Sequence, residues 1–267
     1  MSAGILKRLA DAARARTVAD QKQCRPETLR RIAENRAARE PEKAGAFEAA
    51  IRTPGMAFIC EVKKASPSRG LIAPEFPYLD IAREYEAAGA SAISCLTEPD
   101  YFMGQDAYLK AIADTVALPV LRKDFTVDPY MIYQAKALGA AAVLLIAAIL
   151  DDGQLAEFRA LAESLGLSAL MEAHTPDEVD RVLKAGATLV GVNNRNLKNF
   201  SVDIHTSGSL RARVPEHVAF VAESGITTRE DVAALEADNV DAVLIGETLM
   251  HSRDKKAMLS KLAGRTQ

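Results

Sequence analysis

The sequence predicts a (β/α)8 barrel preceded by an N-terminal helical extension, on three observations. After residue 55, eight short apolar runs alternate with longer amphipathic segments rich in Ala, Glu and Arg, the punctuation of parallel strands and their covering helices. No G-x-G-x-x-G turn follows the first run, as a dinucleotide-binding open sheet would favour. Polar groups end several different runs, the distribution found at the carboxyl mouth of barrel enzymes. A doubly wound open sheet, also covered on both faces, is the competing architecture.

Two helical patterns come first, around Ile5–Gln21 and Pro26–Glu40, and a Glu40-Pro41 break follows them. Residues 1–55 are therefore expected as an extension of the same domain that forms a barrel over residues 56–267. The strand runs are AFICEV from Ala57, SAISCL from Ser91, LPVL from Leu118, AVLLIA from Ala142, SALME from Ser168, LVGVN from Leu189, HVAFVAE from His217 and AVLIG from Ala242. Helix signals lie between them: Asp80–Ala88 before Gly89, Asp151–Leu165 before Gly166, and Thr175–Ala185 before Gly186, each pairing a capping residue with a terminating glycine. Gly89-Ala90, Gly139-Ala140 and Gly186-Ala187 recur just before a strand, as if one structural unit were reused.

The chain has 267 residues, and one barrel of roughly 250 would use nearly all of them. Its 49% apolar and 26% charged residues are those of an ordinary globular protein, so folding throughout is expected. A net charge of −3 gives no basic stripe for nucleic acid or an anionic membrane. Cys24, Cys60 and Cys95 form an odd set without metal-ligand spacing, which argues against a disulfide framework and a zinc site. The N-terminus lacks the apolar core of a signal peptide, and the most apolar run, Ala140–Leu150, is too short for a membrane-spanning helix. The expectation is a cytoplasmic monomer or weak homodimer with a small phosphorylated substrate and no metal or cofactor.

The strand ends carry the chemistry. Residues two apart on a strand share a face, so Glu61 and Lys63 point the same way. If Phe58, Cys60 and Val62 face the helices, that shared direction is the barrel interior, where charges are costly unless paired or used. A structural ion pair plugging the mouth would satisfy this much. The third, fifth and sixth runs, however, also end in polar groups: Arg122-Lys123-Asp124, Glu172, and Asn193-Asn194-Arg195. The last two end Glu223-Ser224-Gly225 and Leu244-Ile245-Gly246-Glu247, small residues where barrels often bind phosphate through backbone amides. The alternative is that Gly225 and Gly246 only permit tight turns.

The stretch Phe58-Ile59-Cys60-Glu61-Val62-Lys63-Lys64-Ala65-Ser66-Pro67-Ser68 closely resembles the signature of the indole-3-glycerol-phosphate synthase family of tryptophan biosynthesis. Further likenesses follow in order: Leu96-Thr97-Glu98 with Tyr101-Phe102 and Gly104, Leu121–Phe125, Glu172-Ala173-His174, Gly191–Leu197, Ala222–Ile226 and Leu244–Met250. Relatives often carry an acidic residue in the first helix where this chain has Thr17. The resemblance implies a carboxy-lyase that closes 1-(2-carboxyphenylamino)-1-deoxyribulose 5-phosphate into indole-3-glycerol phosphate, releasing carbon dioxide and water without a cofactor.

By the same resemblance Lys123 is the candidate general acid for ring closure and Lys63 a second acid or charge stabiliser. Glu172 is the candidate base for dehydration, Glu61 the group that tunes the lysines, and Asn193 a further catalytic candidate. Candidate substrate contacts are Gly225 and Gly246 for phosphate, aided by Ser224 and with Lys63 a further candidate there, and Ser66, Asn193 and Arg195 for the aryl carboxylate and nearby hydroxyls. Phe102 could pack on the aromatic ring or merely within its loop, and Leu244 is placed with the substrate contacts. Glu223 could bond a substrate hydroxyl or hold another side chain. The Glu247 carboxylate is expected to turn away from the phosphate while its amide faces it. His174 reads more readily as a loop histidine than as a site residue. Rival functions are a sugar-phosphate isomerase, a lyase forming a Schiff base through Lys123, and a non-catalytic barrel that binds a phosphorylated ligand or a partner protein.

Overall fold

The computed structural model describes residues 3–196 and 200–265. Leu197, the last residue of one matched stretch, lies outside them. Eight parallel strands close into a barrel: β1 (Ala57–Val62), β2 (Ala92–Leu96), β3 (Val120–Lys123), β4 (Ala142–Ile146), β5 (Ser168–Ala173), β6 (Leu189–Asn193), β7 (Ala219–Glu223) and β8 (Ala242–Ile245). Closure is made by β1, which pairs Cys60 with Ile245 of β8 and Val62 with Cys95 of β2. The fold is a (β/α)8 barrel, and the open sheet is excluded because no edge remains.

Before the barrel come α1 (Ala3–Gln23), α2 (Pro26–Arg39), a 3-10 turn at Pro41–Lys43 and α3 (Ala46–Ile51). Around it lie α4 (Tyr78–Ala87), α5 (Asp106–Thr115), α6 (Pro129–Leu138), α7 (Asp152–Ser164), α8 (Pro176–Lys184), α9 (His205–Arg211), α10 (Arg229–Ala237), α11 (Glu247–His251) and α12 (Lys255–Leu262). Local chemistry sets many of these boundaries. Asp151 and Gln154 form a reciprocal capping box on α7, and Thr175 caps α8 through the Glu178 amide. The repeated Gly-Ala pairs are helix exits: Gly89, Gly139 and Gly186 have φ of 84°, 97° and 86°, and each following alanine amide donates back to the helix just left.

Three strands begin later than their apolar runs suggest, β2 by one residue and two others by two. The third starts at Val120, because Pro119 has no N–H for the ladder, and it extends through the polar Arg122 and Lys123. The seventh starts at Ala219, because Val218 is still held in a turn by the Pro215 carbonyl.

Strand parity divides the core in two. Phe58, Cys60 and Val62 pack outward in a cluster that includes Ile81 and Tyr85 of α4, while Ala57, Ile59, Leu121, Leu144, Leu170, Val221 and Leu244 belong to the cluster filling the barrel. Each fully buried Leu or Ile contributes roughly 1.5–3 kcal/mol relative to exposure. The interior cluster extends beyond the strands at both ends. Phe47 and Ile51 of α3 join it from the amino end, where Arg52 donates to the carbonyls of Thr188 and His217 ahead of β6 and β7. Ile5, Leu9, Ala10 and Ala13 of α1 join it over the carboxyl mouth. Thr17 is buried on α1 and donates to the Ala13 carbonyl, so its hydroxyl is used within the helix.

Candidate active site

The inward parity that places Ile59 in the barrel places Glu61 one layer above it. The same step of two leads from Leu121 to Lys123, Leu170 to Glu172, Gly191 to Asn193, and Val221 to Glu223. The interior is therefore apolar below and charged at the carboxyl mouth. These groups open into a cleft of about 940 Å³. Glu61, Lys63, Ser66, Phe102, Lys123, Glu172, Asn193, Arg195, Glu223, Ser224, Gly225, Leu244, Gly246 and Glu247 all line it.

Two ion-pair systems organise the charge. Lys63 Nζ lies 2.6 Å from Glu61 Oε1, while Ser94 of β2 donates to Glu61 Oε2 at 3.2 Å. Lys123 Nζ lies 3.3 Å from Glu172 Oε2 and 3.1 Å from Glu223 Oε2. Gly191 makes room for this arrangement, since a Cβ there would meet Glu223 Oε1 at 2.5 Å. Gly246 does the same for the first pair, where a Cβ would fall 2.5 Å from Glu61 Oε1 and 2.8 Å from Lys63 Nζ.

The protonation states follow from burial set against these neighbours. Burial disfavours the Glu61 charge, but Lys63 and Lys123 outweigh it and hold the carboxyl below its usual range. For Glu172 burial is likewise outweighed, by Lys123 and His174, so this group is a carboxylate at neutral pH. Glu223 goes the other way: burial, reinforced by the Glu172 charge, raises it from 4.5 to about 7 despite Lys123. Burial opposes the Lys123 charge too, yet Glu223, Glu172 and Glu61 hold the ammonium above the ordinary lysine range. The site thus contains a firmly protonated lysine, an ionised carboxylate beside it, and a second carboxyl that exchanges a proton near neutrality. Opposite pushes on adjacent titratable groups are what combined acid and base chemistry needs.

The loops carry the remaining candidates. Ser224 and Gly225 both have positive φ, 68° and 84°, and Asn194 Nδ2 holds the Ser224 carbonyl at 3.1 Å. A non-glycine residue in this region costs on the order of 1 kcal/mol or more, so this turn is enforced by its surroundings. The Glu247 carboxylate meets Arg69 at 2.7 Å and Arg195 at 3.5 Å, which engages Arg195 at the rim of the cleft. The Asn193 side-chain carbonyl accepts from the Arg195 amide at 3.0 Å, and Ser66 Oγ lies 3.4 Å from Ser68 Oγ. Phe102 lies 6.2 Å from Phe125, centroid to centroid, on the apolar wall.

Several contributors are not evident from sequence spacing. Glu98 accepts from the amides of Asp100, Tyr101 and Phe102 and so shapes the loop bearing Phe102. Asp124, next to Lys123, is held by Thr97 at 2.6 Å and by Arg16 of α1 at 2.6 Å. Ile5, Leu6 and Leu9 of α1 line the cleft. Glu98 lies within a matched stretch and could have been singled out there, whereas Arg16 carries no local signal. His251, which has no chemical neighbour in the sequence, reaches the cleft wall. Among the described residues no cluster of His, Cys, Asp and Glu could hold a metal ion, and no helix is long and apolar enough to cross a membrane.

Comparison with known proteins places this geometry. A family model described as indole-3-glycerol phosphate synthase matches residues 6–262. The indole-3-glycerol phosphate synthase of Ruminiclostridium cellulolyticum is 58% identical over 219 residues, 82% of this chain and 84% of its own length. That of Lacticaseibacillus paracasei is 56% identical over 214 residues, 80% of this chain and 82% of its own. Among solved structures, a 3-hexulose-6-phosphate synthase superposes with a TM-score of 0.62 at 14% identity, covering 78% of this chain and 99% of its own. A thiamine phosphate pyrophosphorylase from Pyrococcus furiosus superposes at 0.59 with 15% identity, covering 78% of this chain and 94% of its own. These two likenesses concern the barrel alone.

Proposed function

The chain belongs to the indole-3-glycerol phosphate synthase family, and from that premise we propose how its residues carry out the reaction. The enzyme is a carboxy-lyase of tryptophan biosynthesis. It closes the five-membered ring of 1-(2-carboxyphenylamino)-1-deoxyribulose 5-phosphate, releases carbon dioxide and then water, and leaves indole-3-glycerol phosphate.

The observation that carries the assignment of roles is the Lys123 ammonium held between Glu172 and Glu223 at the barrel mouth. As the aromatic carbon attacks, the substrate carbonyl oxygen must gain a proton, and a lysine kept protonated by two buried acids supplies it. The same charge argues against a Schiff-base lyase, which needs a neutral amine as nucleophile. Loss of carbon dioxide then restores the aromatic ring. Dehydration needs an acid at the departing hydroxyl and a base for the ring proton. Lys63, oriented by Glu61, serves as that acid or stabilises charge, and the ionised Glu172 serves as base. Contact with Lys123 lets Glu172 return its proton to the first acid.

The substrate's two anionic ends need separate seats. The phosphate is assigned to the backbone amides around Ser224-Gly225 and Gly246-Glu247, with Lys63 beside them. The aryl carboxylate is assigned to Ser66, Asn193 and Arg195, with the ring between Phe102 and Leu244. The Glu247 carboxylate, bound by Arg69 and Arg195, has its charge offset near the phosphate seat. Glu223, protonated near neutrality, can donate to a hydroxyl of the ribulose chain as well as hold Lys123.

Residues 1–55 are proposed as part of the same domain, because α1 and α3 both complete the interior cluster. A cytoplasmic monomer or weak homodimer remains the proposed state. Purified protein should generate indole fluorescence from the anilino-ribulose phosphate without added metal or nucleotide; no turnover by well-folded protein rejects the assignment.

A further inference from the structure

The reaction has a proton balance that the cleft residues alone do not close. With the aryl carboxylate ionised, substrate and one proton give indole-3-glycerol phosphate, carbon dioxide and water. Ring closure takes a proton onto the carbonyl oxygen and dehydration takes one onto the leaving hydroxyl, but only one returns, from the ring, to the base. Carbon dioxide departs without leaving a proton behind. With Lys63 stabilising charge, Lys123 is the acid in both steps: the ring proton taken by Glu172 replaces one of its two protons, and the other must come from solvent while the mouth lies beneath α1 and is filled by ligand.

A chain of titratable groups leads out behind Glu172. His174 Nε2 lies 3.5 Å from Glu172 Oε1, and His174 Nδ1 lies 3.6 Å from Glu178 Oε2. Both ring nitrogens are shielded from solvent and make no hydrogen bond, although each is within about half an ångström of one. His174 does not line the cleft, whereas Glu172 does. Glu178 belongs to the first turn of α8, is anchored by accepting from the His174 backbone amide at 2.7 Å, and keeps its side chain 18% exposed. The order inward is thus solvent, Glu178, His174, Glu172, Lys123. Burial opposes a charged His174, but Glu178 and Glu172, with Glu223 behind them, outweigh it and raise the imidazole above its ordinary range, so the ring is ready to donate.

We propose that His174 and Glu178 form the line by which solvent protons reach Glu172 and, through it, Lys123, a role resting on the ring-closure reading above. The imidazolium hands its Nε2 proton to the Glu172 carboxylate and Glu172 passes one to Lys123. The neutral ring keeps its Nδ1 proton, and a turn about Cβ–Cγ brings the bare Nε2 to the Glu178 side, where Glu178 passes it a solvent proton and the imidazolium is restored. Neither His174 nor Glu178 touches substrate; both act through Glu172. A histidine that merely fills the α8 junction would leave proton supply unchanged.

The test is steady-state turnover, followed by indole fluorescence, for wild type, His174→Gln and Glu178→Gln in water and deuterium oxide, across an imidazole series at fixed pH and ionic strength. His174→Gln should lower kcat by roughly 10- to 100-fold, less than loss of the acid itself, with KM within about twofold. Its solvent isotope effect should exceed that of wild type, and added imidazole should restore part of the rate. Glu178→Gln, which keeps the histidine in place, should shift the same readouts in the same direction. An unchanged kcat overturns the proposal. So does a loss of kcat with no response to imidazole and no added isotope effect, the behaviour of a packing defect. Wild-type protein without turnover would instead reject the ring-closure reading and the relay with it.

Discussion

Glu223→Gln should make the protein more stable at pH 8 while changing little at pH 4.5. Glu223 is 1% exposed, one of its oxygens has no partner, and its carboxyl is raised from 4.5 to about 7, with burial as the leading cause. A group whose folded pKa exceeds its unfolded value binds its proton more tightly in the native state. The stability this contributes is full below the unfolded value of 4.5 and is lost as pH rises through about 7. At about 1.4 kcal/mol per pH unit, the gap between those values amounts to roughly 3 kcal/mol. Glutamine keeps the shape and cannot ionise, so the difference between variant and wild type should grow by about that amount from pH 4.5 to pH 8. Lys123 retains Glu172 as its counter-ion and stays charged throughout the window. Urea midpoints at several pH values would measure the effect, with an unchanged denaturant slope as the control. A difference independent of pH, or equal destabilisation at every pH, would refute the assignment of a strained carboxyl at this position.

Lys123→Ala should reduce kcat by about 10²- to 10⁴-fold, the usual contribution of a positioned acid, while circular dichroism and calorimetric titration with product show a folded protein that still binds ligand. Turnover equal to wild type would remove Lys123 from the mechanism. Gly246→Ala should lower kcat/KM by on the order of 10²-fold, because the new methyl group would displace the Glu61–Lys63 pair and an ångström of misplacement has that cost. A change of less than twofold in the fluorescence assay would show that the pair has more freedom than its contacts imply.

Much of the architecture is legible because it is local. Period-two alternation in Phe58–Lys63 tells which residues face the helices and which face the barrel, and Asp151, Thr175 and the Gly-Ala pairs carry helix boundaries in a few neighbouring residues. The displaced starts of β3 and β7 mark the limit of that reading. Apolar content alone sees neither a proline that cannot enter the ladder nor a strand that ends in Arg and Lys for the sake of the site. His174 shows the same limit in the site itself. Its position two residues after Glu172, just past the end of β5, is visible in the sequence, but its value depends on Glu178 folding back from α8 to meet the ring.

The sequence by itself determined eight strand–helix units and which strand side chains share a face, because alternation, capping and tight turns act between residues close along the chain. That the sheet closes on itself, leaving no edge, was decided by the tertiary structure. Only the tertiary structure decided that Lys123 serves both Glu172 and Glu223 and that Lys63 serves Glu61. It also decided that Arg16, 108 residues from Asp124, ties α1 over the cleft. Those pairings depend on barrel closure and strand stagger. They set the distances between charges and the depth at which each is buried, and hence which groups keep a proton and which give one up.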